Sequence, residues 1–355
     1  MPTGTEDHRI PRILAVLGSF AAAVIVVAGL RGAASLVGPA FLALMLTVTV
    51  HPLHGWAARR RWPTWVGTIV GLAGVYLLLI GLALSLVVAL ARFGTLLPSY
   101  QQEFDDLVNS LRTPLAALGI GVDQLESMFR SLGVGRVAGF VAGTLNSLLG
   151  VLSSLFLIVA LLFFMGIDAA GFGARMPSLA ASRPDLARAL SSFARGTRRY
   201  LVVSTVFGFI VAVIDVVVLW LLGVPAPLLW GLLAFITNYI PNIGFVLGLI
   251  PPAALALLEG GPGLMIAVIA AYAIINVVIQ TVIQPKFVGD AVGLSVTVTF
   301  VSLLFWGWVL GPLGVLLAVP LTLFARAVLL EADPAARWAN LLIASGNQQH
   351  DGKAG

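Results

Sequence analysis

The polar side chains that interrupt long apolar stretches are the residues of this sequence that could do chemistry. Asp215 is the one acid well inside such a stretch, and it shares a small-to-polar helical face with Ser204, Gly208 and Val211, which precede it at helical spacing. A carboxylate in apolar surroundings needs a cation, water or a proton. Two interpretations stay open: Asp215 binds a proton or Na⁺ or lines a solute path, or it lies near a water interface and is hydrated.

A second polar group follows at steps of four residues, which places its members on one face of a helix. Its members are Tyr272, Asn276, Gln280 and Gln284. Hydrogen bonds between membrane helices average about 0.6 kcal/mol, so adhesion between helices is a weak reason for four such residues. The stripe therefore favours contact with a polar solute, and an adhesive role stays open for some members.

A third polar group, Asn238 and Asn242, lies beside Pro241 in an otherwise apolar stretch. Side-chain amides can hydrogen-bond a neutral polar solute. They can also satisfy backbone groups that are freed where a membrane helix is interrupted. The sequence is compatible with either role, or with both together.

Two apolar stretches, 228–258 and 292–330, exceed the about 17–25 residues of a simple membrane-spanning helix, and both contain several Gly and Pro. The segment GFVLGLIP that begins at Gly244 resembles the segment GVLLAVP that begins at Gly314. This similarity indicates a degenerate internal repeat or a chance recurrence of small apolar residues. Interrupted helices often form transporter binding sites, so Gly244 and Gly314 are candidates for a solute path.

The composition explains what kind of scaffold must position these groups. Of the 355 residues, 59% are hydrophobic and 10% are charged, whereas soluble domains carry about 25% charged residues. So few charges exclude ordinary soluble enzymes, disordered proteins and nucleic-acid binders. We predict an all-α, polytopic membrane protein with about eight transmembrane helices, two of them broken by Gly and Pro. Ten crossings result if each broken segment crosses twice, and re-entrant segments are the other alternative.

The distribution of arginine predicts the orientation. Two basic loops, 51–64 and 166–199, are separated by two spans, so both are expected on the cytoplasmic side of the membrane. The membrane is expected to be the plasma (inner) membrane of the cell. Both termini are then cytoplasmic. The predicted regions are a three-span region at 1–91 with a hairpin at Arg31-Gly32, an extracytoplasmic amphipathic segment at 92–146, a fourth span and basic loop at 147–199, a transport core at 200–330, and a polar tail at 331–355.

Motifs for enzymatic chemistry are missing from the sequence. It contains no GxxxxGK[ST], HExxH or GxSxG pattern and no cysteine, which argues against an ATP-driven pump and against disulfides. We therefore expect no enzymatic activity, no cofactor, no metal centre and no nucleic-acid partner.

Three motifs in the C-terminal half occur in a characteristic order: NYIPNIGFVLGLIP at 238–251, QPKFVGDAVGL at 284–294 and GPLGVLLAVPL at 311–321. In this order and spacing they resemble the AI-2E family of transporters. One departure is Ser295-Val296, where many members have His-Pro, so any role of that histidine is absent from this chain.

The resemblance implies a multi-helix exporter or permease that forms a homo-oligomer, a pentamer. Some members move the signal autoinducer-2, and others are described as Na⁺(Li⁺)/H⁺ antiporters. We therefore expect export or facilitated passage of a small polar solute, with membrane lipids and a coupling proton or Na⁺ as further partners. The alternatives are a Na⁺(Li⁺)/H⁺ antiporter and a non-transporting membrane scaffold.

Overall fold

The computed structural model describes residues 12–59, 64–106, 109–110, 134–241, 243–284 and 294–332. The regular elements of these residues are helices, with no β-strand among them. The α-helices are α1 Arg12–Gly32, α2 Ala34–Arg59, α3 Thr64–Leu96, α4 Val134–Ser182, α5 Pro184–Leu221, α6 Pro227–Thr237, α7 Gly244–Asn276, α8 Val296–Leu310, α9 Pro312–Leu316 and α10 Ala318–Arg326. A 3₁₀ turn forms at Leu97–Tyr100, and π-helical turns form at Val277–Ile283 and Ala327–Glu331.

The lengths and surfaces of these helices are those of a multi-pass membrane protein. Within the described ranges, three helices are long and apolar enough to cross a bilayer, or up to five if each of two bent pairs is one span. Large apolar side chains cover the outside, with Leu77 80% and Phe209 62% exposed, as a lipid-facing surface requires. The predicted fold class is confirmed, and the count of eight crossings stays a prediction.

The first two helices meet differently from the predicted hairpin. The chain turns after Gly32, as expected, but the axes of α1 and α2 meet at 88°. The amide of Ala33 donates to the carbonyl of Gly29, and the amide of Val37 donates to that of Ala33. The two helices thus meet at Ala33, where the chain changes direction without reversing.

The segment 166–199 was predicted to be a basic loop, and this prediction is wrong. The segment is helical except at Arg183, where φ is −140° and ψ is 74°. Pro184 then begins α5, since its fixed φ suits the first helical position. The charges of this segment lie on helices rather than in a loop. The predicted amphipathic helices of 92–146, by contrast, lie mostly outside the described residues.

The long helix α5 is the support for two broken segments. In one apolar cluster, Leu219 in its C-terminal half packs with Leu229 and Trp230 of α6 and with Ala256 of α7. In another cluster, residues of its N-terminal half, such as Phe193, pack with α2 and with the end of the chain's last apolar segment. Both predicted breaks are present in the structure, and each forms a hairpin of two packed helical arms.

The first hairpin consists of α6 and the beginning of α7. Its arms approach so closely that a Cβ at Gly244 would overlap the carbonyl of Thr237, and one at Gly248 would lie 3.0 Å from the Thr237 hydroxyl. The α7 arm ends at Gly260 and Gly261, where the backbone leaves the helical region. The hydroxyl of Tyr100, beyond the end of α3, donates to Oε2 of the adjacent Glu259 at 2.7 Å.

The second hairpin consists of α8 and of α9 with α10. Gly311 makes the turn with a positive φ of 69°, which favours glycine. A Cβ at Gly314 would overlap the carbonyl of Trp306, and the indole of Trp306 donates to Oγ1 of Thr322 in the opposite arm at 3.0 Å. Gly244 and Gly314 therefore occupy the same place in two hairpins, in the first turn of the second arm. This correspondence supports the internal repeat over chance recurrence.

The close contact at Gly244 makes a testable prediction. Gly244→Ala should destabilise the protein by about 1–3 kcal/mol, because the new methyl group must push the two arms apart. The matched control is Gly81→Ala on α3, where a Cβ meets nothing within 4 Å and alanine favours the helix by roughly 0.5–1 kcal/mol. The measurement is the apparent unfolding temperature in detergent at one heating rate. Equal unfolding temperatures for the two variants would contradict the close packing of the arms.

Candidate functional site

A cleft lies where the tip of the first hairpin meets α5 and the second half of α7. The residues that line it are Val211, Asp215, Ala234, Thr237, Asn238, Gly244, Phe245, Gly248, Tyr272, Asn276 and Gln280. The cleft is narrow, with room in this conformation for about one water molecule. It is closed to a larger solute.

The cleft brings together residues from three separate parts of the sequence. The candidates that line it are Asp215, Asn238, Gly244, Tyr272, Asn276 and Gln280. Gln284 and Gly314 do not line it, and Asn242 lies outside the described residues. The lining also includes Thr237, Phe245 and Gly248, which sequence reasoning did not select. Gly248 had a detectable signal, since it follows Gly244 by four residues and therefore shares its helical face.

A π-helical turn explains why Gln284 leaves the stripe. The stripe assumed α-helical spacing, but residues Val277–Ile283 form a π helix. A π turn holds about one more residue than an α turn, which rotates the following residues by about 100° around the axis. Gln280, inside this π turn, still reaches the cleft, whereas Gln284, after it, does not.

Asn238 and Gln280 hold the tip of the first hairpin in place. The side-chain amide of Asn238 donates to the backbone carbonyl of Ser204 on α5 at 3.0 Å, and its Oδ1 accepts from Nε2 of Gln280 at 2.8 Å. Gly208 leaves space for this side chain, because a Cβ there would lie 2.7 Å from the Asn238 amide nitrogen. Asn238 therefore ties the break to a neighbouring helix and to the π turn.

The next residue, Tyr239, adds a second attachment to α5. The hydroxyl of Tyr200 donates to the Tyr239 carbonyl at 2.5 Å, so a backbone group freed at the break is satisfied. The Tyr239 hydroxyl lies 2.7 Å from Oγ1 of Thr205. The hairpin tip is thus attached to α5 through two successive residues.

Three other polar groups of the cleft have no such partners. Oδ1 of Asp215, the hydroxyl of Tyr272 and Oδ1 of Asn276 are buried and make no hydrogen bond to any described residue. Asp215 is 1% exposed and Tyr272 is 3% exposed, which favours a role for Asp215 in the cleft over that of an exposed interfacial residue. A buried polar atom without a partner typically costs about 1–3 kcal/mol. Three such atoms at one cleft indicate a place for a polar ligand or for water.

The hydrogen-bonded amide of Asn238 and the unpartnered amide oxygen of Asn276 lead to different predictions for stability. Asn238→Ala removes the two hydrogen bonds of this side chain and should lower the free energy of unfolding by about 1–2 kcal/mol. Asn276→Ala removes an oxygen that has no partner among the described residues and should change it by less than about 0.5 kcal/mol, because relief of that oxygen offsets the lost side-chain packing. Thermal unfolding of both purified variants measures the difference. A larger loss for Asn276→Ala than for Asn238→Ala would show that these roles are reversed.

The sequence is similar to those of known proteins over most of the chain. The model of the family described as "AI-2E family transporter" matches residues 14–332. The AI-2 transport protein TqsA of Escherichia coli K12 is 31% identical over 324 residues, which cover 90% of this chain and 91% of that protein. The protein named "Putative transport protein YhhT" from the same organism is 31% identical over 323 residues, 91% of each chain. By this extensive similarity, the chain belongs to the AI-2E family of transporters.

Proposed function

We propose that this protein exports a small polar solute, or facilitates its passage, and that the solute binds in the cleft between α5, the first hairpin and α7. The observation that carries this proposal is the set of unpartnered oxygen atoms of Asp215, Tyr272 and Asn276. Each loses its interaction with water on burial, and a bound solute would restore it. An autoinducer-2-like molecule is the family-level candidate, since TqsA carries AI-2 transport in its name.

Passage of a solute requires the cleft to open, since it now has room for about one water molecule. The hairpin tip forms one wall of the cleft, and side-chain hydrogen bonds hold it there, from Asn238 to Ser204 and from Gln280 to Asn238. Neutral hydrogen bonds between membrane helices are worth about 0.6 kcal/mol on average. The tip can therefore separate from the π turn at modest cost, while the bonds to Ser204 and from Tyr200 keep it attached to α5.

Transport assays test this assignment. Asp215→Asn and Asn276→Ala should each reduce solute efflux from proteoliposomes at least about tenfold, because each removes an oxygen that binds the solute. Gln280→Ala should also alter efflux, because it frees the hairpin tip. The probes are autoinducer-2 and a panel of small sugars and polyols, with and without a proton gradient.

The matched control is Ser85→Ala. Ser85 is an exposed polar residue of α3 whose hydroxyl bonds its own helix at the carbonyl of Gly81, so wild-type efflux is expected. Unchanged efflux in all three cleft variants would remove the cleft from the transport path. No efflux of any probe by the wild type would contradict the proposed function itself.

A second candidate function is cation/proton antiport, and one specific observation favours it. The residues that carry the same three oxygen atoms line a cleft with room for about one water molecule, and oxygen ligands suit hard cations such as Na⁺. Against it, Asp215 is the single acid among the lining residues. We expect antiport, if it occurs, to appear as proton movement when Na⁺ or Li⁺ is added to proteoliposomes, and to be abolished in Asp215→Asn but kept in Ser85→Ala. Exchange that persists in Asp215→Asn would exclude this site as the exchanger.

Other features of the proposal rest on the arginine distribution and on the family. We propose cytoplasmic termini, an inner-membrane location and a homo-oligomer, a pentamer by the family resemblance. A scaffold function depends on the segment 92–146, of which 107–108 and 111–133 lie outside the described residues, and no observation on the described helices favours it.

A further inference from the structure

The charge of the cleft is one-sided. Among its lining residues, Asp215 is the charged one, and no Lys, Arg or His is present. The nearest cations along α5, Arg198 and Arg199, precede Asp215 by four helical turns or more. Arg198 is already used, since its guanidinium donates to the carbonyl of Val48 on α2 at 3.2 Å. An anion in the cleft would therefore meet a carboxylate with no compensating cation among the described residues that line it.

The buried side-chain atoms of the cleft that lack partners are mostly hydrogen-bond acceptors. Oδ1 of Asp215 and Oδ1 of Asn276 accept hydrogen bonds, and both lack partners. Thr237 commits its hydroxyl proton to the carbonyl of Ala234, which leaves its oxygen lone pairs. Asn238 donates one side-chain amide proton to the carbonyl of Ser204, and Gln280 donates one to Oδ1 of Asn238. The buried oxygens without partners therefore await a donor, whereas the Tyr272 hydroxyl can donate or accept and the side-chain amide nitrogen of Asn276 can donate.

The first turn of α7 is the feature that could favour an anion, because it is a helix N-terminus. Two of its amides are already engaged: Gly244 donates to the carbonyl of Ile240 at 2.9 Å, and Leu247 donates to that of Ile243 at 3.1 Å. The C-terminus of α6 lies against it in the same hairpin, with Thr237 beside Gly244. Its dipole has the opposite sign at this place and offsets the first.

We propose that the cleft discriminates by charge: it takes solutes that donate hydrogen bonds and are neutral or cationic, such as polyols and amines, and it rejects carboxylates and phosphates. Asp215 sets this selectivity, through its charge and through the absence of a cation among the lining residues. As a statement about transported solutes, this inference rests on the proposed function. The charge preference of the cleft itself can be measured without any transport.

The absence of cysteine permits a direct experiment. Asn276→Cys places a thiol in the cleft, and its reaction rates with two methanethiosulfonates of similar size are measured at pH 8. One reagent carries trimethylammonium and the other sulfonate, and free 2-mercaptoethanol gives their intrinsic rates. After this correction, the cationic reagent should react at least about tenfold faster, because the carboxylate of Asp215 attracts the cationic reagent and repels the anionic one. Gln280→Cys is the second position, in case the first variant does not fold.

The decisive comparison adds Asp215→Asn to the cysteine variant. The corrected ratio should fall to near one, whereas the control Glu103→Gln, which neutralises an exposed acid outside the cleft, should leave it unchanged. Equal corrected rates with Asp215 present would overturn the charge inference and leave the proposed path intact. If neither reagent reacts at either position, the cleft has no aqueous access, and both the path and its selectivity are wrong. The solute counterpart is efflux of xylitol against xylonate, with xylitol expected to be at least about tenfold faster.

Discussion

The backbone at an interrupted helix in lipid must find hydrogen bonds within the protein, and this constraint organises the structure around the first hairpin. Water is absent from the hydrocarbon core, so each unsatisfied peptide group costs several kcal/mol. Local turns satisfy part of the break, since Ile240 donates to the carbonyl of Thr237 and Gly244 to that of Ile240. Tyr200 satisfies the carbonyl of Tyr239 from α5. The break is therefore stable only where α5 supplies polar groups.

That support also creates the cleft. Close packing of the two arms requires Gly244 and Gly248, and attachment of the tip to α5 brings it near Asp215. The polar residues then divide into two classes. Asn238 and Gln280 are bonded to each other and hold the structure, whereas the oxygens of the acid, of Tyr272 and of Asn276 remain without partners. The second class is a cost to stability that a bound ligand can offset, which is how a transport site differs from structural polar packing.

Several errors of the sequence interpretation share one cause, which is that charge and polarity do not specify backbone conformation. The basic segment 166–199 was expected to be a loop, yet its charged residues lie on helices that are interrupted at Arg183. The turn at Arg31-Gly32 was expected to close a hairpin, yet α1 and α2 meet at 88°. At Arg31-Gly32 the position of the turn was visible in the sequence, but its geometry depends on hydrogen bonds and packing across it.

The sequence by itself determined that this chain is a helical membrane protein with two broken segments, because composition, apolar length and Gly/Pro content act locally and need no tertiary information. The sequence also identified most of the polar residues of the cleft, because polar side chains are rare in membrane-spanning segments. Only the tertiary structure decided which of them meet and which lack partners. Asp215 and Asn276 are far apart in the chain, and a π turn, which spacing alone does not reveal, keeps Gln280 at the cleft and turns Gln284 away. The physical reason is that hydrogen-bond satisfaction is a property of the folded neighbourhood, whereas polarity is a property of the residue.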